Sequence, residues 1–476
     1  MKTFIRLLSL LLVIIMLASC FIACNDTGDG TGDGTTPDGD LTDLNLKGQT
    51  YAILSKSGTS NAHLNNFEVY YDDLPEDVVG QAVYNRNQSL KNKYGFSILN
   101  YTAENTSAQA KLAYETGADL YDLVIYQPDS VQAHAQEGYL LDLNEFNYID
   151  LEHDSWSQYI NEQLTIGGKL YYTTNDFLLL DKARAFYLFY NRDLATDYGL
   201  GRLEDKVYNN TWTLEEATKL AKAVSKYTDG NGPSYEDTFG FAMGENLEFM
   251  YLAMGSGFRF TEKSNSGFPK LVSANEKMLN ILQDALDLAA NKNYTWVNCT
   301  EEEHCELLFL DGRSLLLNMT TLFIEYQYKP RESKIDLGIL PYPKYDVSQE
   351  QYCSTADSSL GAVLAIPFTV QDEDMAGFCL EAITEASTDT SYKTYIDTKC
   401  KYQDATDQDC AKMMDICFEN QVYDIGSFLF YHDLYKQTAL DLMSKGKSSL
   451  YKSTFESYKT ASQSKIDDLV SSKAYQ

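Results

Sequence analysis

The sequence predicts an α/β protein with two lobes, each a mostly parallel sheet flanked by helices. Between residues 49 and 137, runs that favour buried strands alternate with segments whose apolar residues recur at helical spacing. This alternation is typical of parallel strands joined by crossover helices. The chain has 476 residues, which is enough for two or three domains with sizeable cores. A ligand of such a protein is expected in the crevice between the lobes.

The stretch Gly168–Leu194 is predicted to join the two sheets. Its segments Lys169–Thr173 and Phe186–Tyr190 are rich in Tyr, Phe, Leu and Thr, residues that favour strands. Polar interruptions at Thr174–Asp176 and Asp181–Arg184 separate these two segments. We therefore expect one short polar crossing from the first sheet to the second.

The elements of the first lobe precede this crossing. Leu120–Tyr126 is an almost continuous apolar run, as expected for a strand buried on both faces. Asp77–Lys93 carries its apolar residues on one helical face. The predicted strands are Gln49–Leu54, Phe96–Tyr101 and Leu120–Tyr126, and the predicted helices are Asp77–Lys93, Ser107–Glu115 and Asp129–Glu137.

The second lobe has a clear helix start. Thr213 and Glu216 form a capping box, and apolar residues follow them at helical spacing. Trp212 lies at this helix start, so we interpret it as a core residue rather than a platform for stacking a sugar. Helices are also predicted at Glu245–Met254, Asn275–Ala290, Glu301–Phe309 and Asp374–Ala386, and strands at Phe239–Phe241, Ile335–Tyr345 and Ser358–Pro367. The pattern is helical from Lys399 onward.

Residues 1–19 are predicted to be a signal peptide. Lys2 and Arg6 precede the apolar run Leu7–Leu17, which is too short for a membrane-spanning helix. The order Leu17-Ala18-Ser19-Cys20 resembles the lipobox of bacterial lipoproteins. That resemblance implies that Cys20 is lipidated, with palmitate among its acyl chains, and holds the protein on the outer face of the cell membrane. An ordinary signal peptide with an incidental cysteine is the alternative.

Residues 20–46 are predicted to form the lipid anchor and a flexible linker. Asn25–Asp43 consists mostly of Gly, Thr and Asp and reaches roughly 25 Å as a random coil. Its Asp-Gly repeats lack the ligand alternation and closing Glu of an EF-hand, so we favour a tether over a calcium site. The net charge of −31 makes nucleic acid and anionic lipid unfavourable partners.

Nine cysteines are present. The nearest pairs in the exported domain are Cys299–Cys305 and Cys400–Cys410, and both disulfides and free buried thiols remain open for them. His304 beside Cys305 suggests zinc, but the chain has no C-x-x-C pair. We therefore predict no metal site and no cofactor.

Candidate ligand-binding residues follow from the strand ends. In a mostly parallel sheet, ligands collect at the carboxyl ends of the strands. Those positions are Ser55, Lys56 and Ser57 after the first strand, and Gln127 and Asp129 after the third. Turn formation explains each of them equally simply, and Asp129 could merely cap its helix. Asp176 and Arg184, in the polar interruptions of the crossing, are further candidates.

Several weak motifs occur in a familiar order and spacing. They are Gly138–Leu143 (GYLLDL), Gly168–Tyr171 (GKLY), Tyr190–Leu194 (YNRDL), Thr211–Glu216 (TWTLEE) and Leu308–Thr320 (LFLDGRSLLLNMT). Together they resemble the extracellular solute-binding proteins (family 1) of ABC importers, in particular the maltose- and oligosaccharide-binding lipoproteins. The resemblance implies a two-lobed fold like that of the type II periplasmic binding proteins, with the ligand cleft between the lobes.

The resemblance also implies lobe boundaries and hinges. Lobe 1 would comprise residues 47–183 and 346–390, and lobe 2 residues 184–345 and 391–476. The hinge would consist of three crossings, at Asp181–Arg184, Pro341–Asp346 and Thr388–Tyr395. Lobe closure around such a hinge would enclose the ligand.

Further ligand-binding residues are implied by the resemblance. They are Asn318 and Thr321 at the end of a short strand, Asp357 in a loop that enters the cleft, and one of Phe428, Phe430 and Tyr431 at an aromatic helix start. Relatives that bind maltose have a tryptophan near the position of Thr321, so an identical sugar platform is not expected here. A solvated loop acid is an equally good interpretation of Asp357.

The expected function is capture of a solute, most simply a sugar or oligosaccharide, for a membrane ABC permease. The protein would act as a monomer and would not be an enzyme. No G-x-S-x-G, H-E-x-x-H or Cys-His signature occurs in the chain. Two alternatives remain open, a secreted glycosidase using two carboxylates and a lipid-anchored adhesin.

Overall fold

The structure, a computed structural model, describes residues 44, 46–57, 65–227, 232–328, 334–400 and 408–476. The predicted signal peptide, Cys20 and nearly all of the linker lie outside the described residues. Everything described belongs to one compact unit that begins at residue 39. Among the helices of the described ranges, none combines the length and apolar character needed to cross a bilayer.

The first sheet consists of the strands β1 (Thr50–Lys56), β2 (Ser97–Ala103), β3 (Leu123–Tyr126) and β12 (Val363–Ala365). Their order in the sheet is β12-β3-β1-β2. β1 pairs in parallel with β2 and with β3, and only β12 runs antiparallel to its neighbour β3. The mostly parallel sheet predicted for the first lobe is confirmed.

Helices connect and cover these strands. They are α1 (Val78–Tyr94), α2 (Thr106–Thr116), α3 (Pro128–Gln136), α4 (Gln158–Leu164) and, after β12, α12 (Glu373–Ser387). Asp77 caps α1 by accepting a hydrogen bond from the Gly80 N–H at 2.7 Å, and Gly95 ends it in the left-handed conformation. Such local signals explain why α1 begins and ends close to its predicted bounds.

The crossing differs from its prediction. Lys169–Thr173 is not a strand, because its residues form only isolated bridges, Ile166 with Lys169 and Thr173 with Leu364. A short helix, α5 (Leu179–Ala183), follows where a polar loop was predicted. Its Asp181 and Lys182 are both buried, with Asp181 Oδ2 3.1 Å from Lys182 Nζ. The two charges of this polar segment therefore pair with each other.

The strands of the second sheet are β4 (Phe186–Asn191), β5 (Phe239–Met243), β8 (Thr295–Val297), β9 (Ser314–Thr320), β10 (Leu337–Leu340), β11 (Ser354–Thr355) and β13 (Gln421–Val422). Their order is β13-β11-β4-β9-β5-β8, and β10 also pairs with β4. β5 is parallel to β8 and β9, whereas β4 is antiparallel to β9, β10 and β11. The sheet is therefore mixed, and the mostly parallel arrangement predicted for this lobe is wrong. The reason is that β4 leaves the crossing at Phe186, while β9 returns toward it and pairs Thr320 with Phe186.

Other elements complete the second lobe. These are the helices α6 (Arg192–Asp197), α7 (Glu204–Tyr208), α8 (Leu214–Val224), α9 (Phe249–Gly255), α10 (Glu276–Ala289), α11 (Cys305–Leu310), α13 (Lys393–Cys400), α14 (Gln408–Glu419), α15 (Ile425–Leu429), α16 (Lys436–Lys445) and α17 (Leu450–Ser471), with a hairpin of β6 (Thr261–Lys263) and β7 (Pro269–Leu271). A π-helical turn, Tyr431–Tyr435, joins α15 to α16. β5 packs so closely against α8 that Gly240 has no room for a side chain. A Cβ at this position would lie 2.1 Å from the Ala221 Cα.

Two apolar cores correspond to the two sheets. One contains β1, β3, β12 and α12, and the other contains β4, β5, β9, α9 and α10. Trp212 is fully buried in the second core, which confirms its interpretation as a core residue. Strand β11, at residues 354–355, pairs within the second sheet although the predicted boundaries assign residues 346–390 to lobe 1. Cys299 and Cys305 are free thiols, whereas the side chain of Cys400 is outside the description.

Candidate ligand-binding cleft

Two parallel strands of the first sheet end at the same edge, where they place polar residues. Lys56 is the last residue of β1, and Gln127 and Asp129 follow β3 at the start of α3. Burial lowers the pKa of the half-buried Lys56 ammonium, and the carboxylates of Asp129 and Glu104 oppose this shift. Gln127 donates from Nε2 to the Ser359 carbonyl at 2.7 Å, which joins this edge to the loop after β11.

An ion pair links that loop to the crossing. Arg184 donates from Nη2 to Asp357 Oδ2 at 2.5 Å. Asp357 is only 2% exposed, and the backbone N–H groups of Ser359 and Leu360 bond to its Oδ1 at 3.1 and 3.0 Å. The Tyr251 hydroxyl of α9 donates to the same oxygen at 3.2 Å. Asp357 is thus held by the crossing, its own loop and the second lobe at once.

One hydrogen-bond donor of the Arg184 guanidinium has no partner within the described residues. Its Nε is buried and makes no hydrogen bond within the described part of the chain. A buried donor without a partner is costly, typically by about 1–3 kcal/mol. A ligand oxygen placed beside Arg184 would remove that cost.

Aromatic rings border the ion pair on the side of the second lobe. The rings of Phe186 and Tyr251 stack with their centroids 4.1 Å apart, and those of Tyr431 and Tyr435 lie 5.2 Å apart. Tyr431 is 9% exposed. Burial raises the pKa of its phenol, and the charges of Asp357, Asp129 and Glu245 raise it further.

A contact between lobes closes the arrangement. His432 Nε2, in the turn after α15, lies 3.9 Å from Asp129 Oδ2 of the first lobe. Burial raises the pKa of Asp129, and the neighbouring Asp357 adds to this effect. We call the region formed by Lys56, Asp129, Arg184, Tyr251, Asp357, Tyr431 and His432 the candidate cleft.

The structure brings together six of the predicted site residues, namely Lys56, Gln127, Asp129, Arg184, Asp357 and Tyr431. Ser57 follows Lys56 and is half-buried, with its backbone N–H bonded to the Ala103 carbonyl at 3.1 Å. The others have internal partners. Ser55 is buried, and its Oγ lies 2.8 Å from the side-chain amide of Asn100. Asp176 accepts a hydrogen bond from the Thr388 hydroxyl at 2.8 Å. Phe430 is fully buried in the second core.

Asn318 and Thr321 are buried at the end of β9. Thr321 donates to the Lys182 carbonyl at 2.7 Å and accepts from the Tyr187 hydroxyl at 3.0 Å. Asn318 accepts from the Tyr342 hydroxyl at 2.5 Å and donates to Glu248 Oε2 at 3.3 Å. Their polar groups therefore support the structure around the second sheet.

Sequence reasoning missed Tyr251, His432 and Glu248. Tyr251 lies in α9, in which every residue is buried, so no polar face marked it. Burial raises the pKa of Glu248 to about 8, and the charges of Glu245 and Glu306 contribute. Only the fold brings these acidic residues together, because Glu306 is distant from the other two in sequence.

The raised pKa of Glu248 predicts a pH dependence of stability. Its ordinary value is 4.5, so between that pH and about pH 8 the folded protein binds a proton that the unfolded chain has lost. The free energy of unfolding should therefore fall as the pH rises through this window, and Glu248→Gln should flatten the dependence. Urea unfolding at a series of pH values measures this, with Glu301→Gln, an exposed substitution, as the control. Parallel curves for the wild type and Glu248→Gln would contradict it.

A cavity of about 290 Å³ lies between α4 and the β6–β7 hairpin and shares no lining residue with the candidate cleft. Several of its polar groups bond within the protein. Asp424 accepts from the Phe260 N–H at 2.5 Å, and Gln163 both donates to the Gln421 carbonyl and accepts from the Tyr423 N–H. In the candidate cleft, by contrast, the buried Arg184 Nε has no hydrogen-bond partner within the described residues.

Comparison with known proteins gives the fold. Neither a protein-family model nor a curated protein matches the chain. The apo form of RafE from Streptococcus pneumoniae matches 89% of this chain and 96% of its own, at 13% identity and a TM-score of 0.54. The chain has the two-lobed fold of solute-binding proteins. This outcome confirms, for the fold, the family resemblance noted in the sequence.

Two further solved structures share the solute-binding-protein fold. The maltose/maltodextrin-binding domain MalE of Bdellovibrio bacteriovorus, bound to maltotriose, covers 88% of this chain and 100% of its own, at 14% identity and a TM-score of 0.52. An ABC transporter solute-binding protein of Agrobacterium radiobacter K84, in complex with ribitol, gives the same coverage at 15% identity and a TM-score of 0.53. At such identities the comparison establishes architecture, and the ligand must be argued from the cleft itself.

Proposed function

We propose that the chain is the extracytoplasmic substrate-binding lipoprotein of an ABC transporter. It captures a solute, a sugar or oligosaccharide, by closure of its lobes and delivers it to a membrane permease. The observation that carries this proposal is the candidate cleft, where Arg184 Nε has no partner within the described residues. The Asp357 carboxylate that Arg184 binds also accepts from the hydroxyl of Tyr251, whose ring stacks on Phe186. The lipid anchor at Cys20, the monomeric state and the lobe boundaries are parts of the same proposal.

The chemistry of the candidate cleft suits carbohydrate. Sugar C–H faces pack on aromatic rings, and sugar hydroxyls bond to charged groups that are already oriented. Tyr431 supplies a ring at the border of the cleft, and Arg184 and Asp357 supply a donor and an acceptor fixed by several contacts. The maltotriose and ribitol present in two structures of the same fold support this ligand class.

Contacts across the lobes suit a binding mechanism by closure. Asp357 is held by Tyr251 of the second lobe, and Asp129 of the first lobe faces His432. Hinge rotation would separate such pairs, and closure around a ligand would restore them. The ligand then shifts the equilibrium toward the closed state by its contacts with both lobes.

A thermal-shift screen tests the proposal. The purified protein is expected to be stabilised by one class of sugar, with amino acids, peptides and polyamines as controls. At one hundred times the dissociation constant the stabilisation is about 2.7 kcal/mol, which is readily detected. A product analysis of the same mixtures detects any turnover.

Three outcomes are distinguishable. Stabilisation by a sugar without product supports a sugar-binding component of an importer. Stabilisation by a control compound alone would retain the receptor and reject carbohydrate. Cleavage of a sugar would reject the receptor in favour of a carboxylate-dependent glycosidase.

A further inference from the structure

Three potential metal ligands meet in the first lobe, outside the candidate cleft. They are His153, Glu381 and Glu385, and one ligand atom from each lies within 4.8 Å of the others. The two glutamates are four residues apart on α12 and therefore share a helical face. His153 lies in the loop before α4, which contacts that face through Asp150 and Trp156.

Glu381 is an unusual acid because it is only 2% exposed. Within the described ranges it forms no ion pair with a Lys or Arg side chain, and its hydrogen-bond partners are the Trp156 indole and the Asp150 N–H. A buried carboxylate without a countercharge is unfavourable, and a bound cation would supply that charge.

Glu381 still has room for a ligand. Its Oε2 accepts hydrogen bonds from Trp156 Nε1 at 3.1 Å and from the Asp150 N–H at 3.2 Å. Its Oε1 has only a long contact with the same indole, at 3.4 Å. A carboxylate has about four lone-pair positions, so Oε1 retains acceptor capacity. The indole and the peptide N–H hold the carboxylate in the way outer-shell groups hold metal ligands.

His153 is held by a neighbour of its own. Ser155 Oγ lies 2.8 Å from His153 Nδ1. The Ser155 N–H also points at Nδ1, at 3.3 Å. Binding of a metal ion through Nε2 therefore requires the ring proton to lie on Nδ1, where the Ser155 hydroxyl can accept it. Because His153 is exposed and Glu385 is half-buried, an ion can reach the cluster from solvent.

We propose that His153, Glu381 and Glu385 bind one divalent transition-metal ion, with water completing its coordination. One imidazole nitrogen and two carboxylate oxygens suit zinc better than calcium or magnesium, which prefer sets of oxygen ligands. His153 is more than two hundred residues away from the two glutamates in the chain, so no sequence motif marks these three ligands as one site.

The bound ion would stabilise the part of the first lobe that leads into the crossing. Close to the cluster, the Asn175 amide donates to the Thr384 hydroxyl of α12 at 2.7 Å. Thr388, just after α12, donates to Asp176 at 2.8 Å. Bound metal would therefore fix α12 and the loop before α4 next to the segment that leaves the first lobe.

Calorimetric titration of the chelator-treated protein with Zn²⁺ tests the site. All variants carry Cys299→Ser, which removes an exposed thiol that could bind zinc. We expect one Zn²⁺ per chain and a raised melting temperature, with no effect of Ca²⁺ or Mg²⁺. His153→Ala and Glu385→Gln should each weaken binding by about tenfold or more. Circular dichroism of the metal-free variants verifies their folding.

Two control variants test whether zinc binding is specific to His153, Glu381 and Glu385. Glu373→Gln changes an exposed glutamate of the same helix, and His304→Asn changes another histidine, beside Cys305, while retaining a capping side chain. Neither should alter zinc affinity, and Co²⁺ bound in place of zinc should show no thiolate charge-transfer band. The proposal is overturned by the absence of saturable binding, by binding insensitive to His153→Ala and Glu385→Gln, or by loss of binding in His304→Asn.

Discussion

Replacing Arg184 with methionine is expected to lower the free energy of unfolding by about 3–5 kcal/mol. The reason is the environment of Asp357, which is almost fully buried and 2.5 Å from the Arg184 guanidinium. Without Arg184 the carboxylate keeps only neutral hydrogen-bond donors, so its charge is left uncompensated away from water. The same change removes the donor that we assign to the ligand, so binding of any sugar found in the screen should become undetectable.

Urea unfolding monitored by fluorescence measures the stability change, and calorimetry measures the ligand affinity. Arg202→Met is the matched control, because Arg202 pairs with Asp409 while remaining about half exposed. Such a surface pair contributes at most about 1 kcal/mol. In the double variant Arg184→Met/Asp357→Leu the unpaired charge is absent, so much of the stability should return while ligand binding stays lost. Equal stability of the Arg184→Met and Arg202→Met proteins would contradict the assigned role.

Replacing Trp212 with alanine is expected to lower the free energy of unfolding by about 3–5 kcal/mol. The Trp212 side chain has no exposed surface and belongs to the core of the second lobe. Its Nε1 donates to the Pro341 carbonyl at 3.0 Å, which joins the start of α8 to the predicted second crossing. The variant therefore loses both packing and a contact near the hinge.

Two further substitutions separate these contributions. Trp212→Phe retains much of the buried ring surface but leaves the Pro341 carbonyl without this donor, so a smaller loss of about 1–3 kcal/mol is expected. Trp296→Ala removes a tryptophan that is only partly buried, whose Nε1 bonds to the Glu303 carbonyl. If Trp212→Ala destabilised the protein no more than Trp296→Ala, the importance of this contact would be disproved.

Local signals in the sequence were sufficient for much of the fold. The helix start predicted at Thr213 occurs, since its hydroxyl accepts the Glu216 N–H at 3.3 Å and α8 starts at Leu214, while the Glu216 carboxylate pairs with Lys206 and Lys219. The continuous apolar run around Leu123–Tyr126 is a strand buried on both faces. Caps and burial patterns depend on neighbouring residues, so a single sequence contains them.

Strand direction and the pairing of distant side chains were harder to predict. The direction of β4 depends on where the chain leaves the first lobe, and no residue within β4 specifies it. Arg184 was predicted from the polar interruption of the crossing and Asp357 from the family resemblance, but only the fold shows that they pair. Phe430 and Tyr431 are adjacent aromatic residues, and the geometry of one turn places the first in the core and the second at the border of the candidate cleft.

Helix α17 has a mechanical consequence for opening. Tyr451 and Phe455 near its start pack in the core of the second lobe, whereas Leu469 packs in the core of the first. Beyond it, the Tyr171 hydroxyl of the first lobe donates to the Ala474 carbonyl. The start of α17 is therefore held by the second lobe and its end by the first. Rotation of one lobe relative to the other would have to bend the helix or detach one of its ends. The angle through which the lobes can open is therefore set partly by the stiffness of a helix that contributes no residue to the cleft.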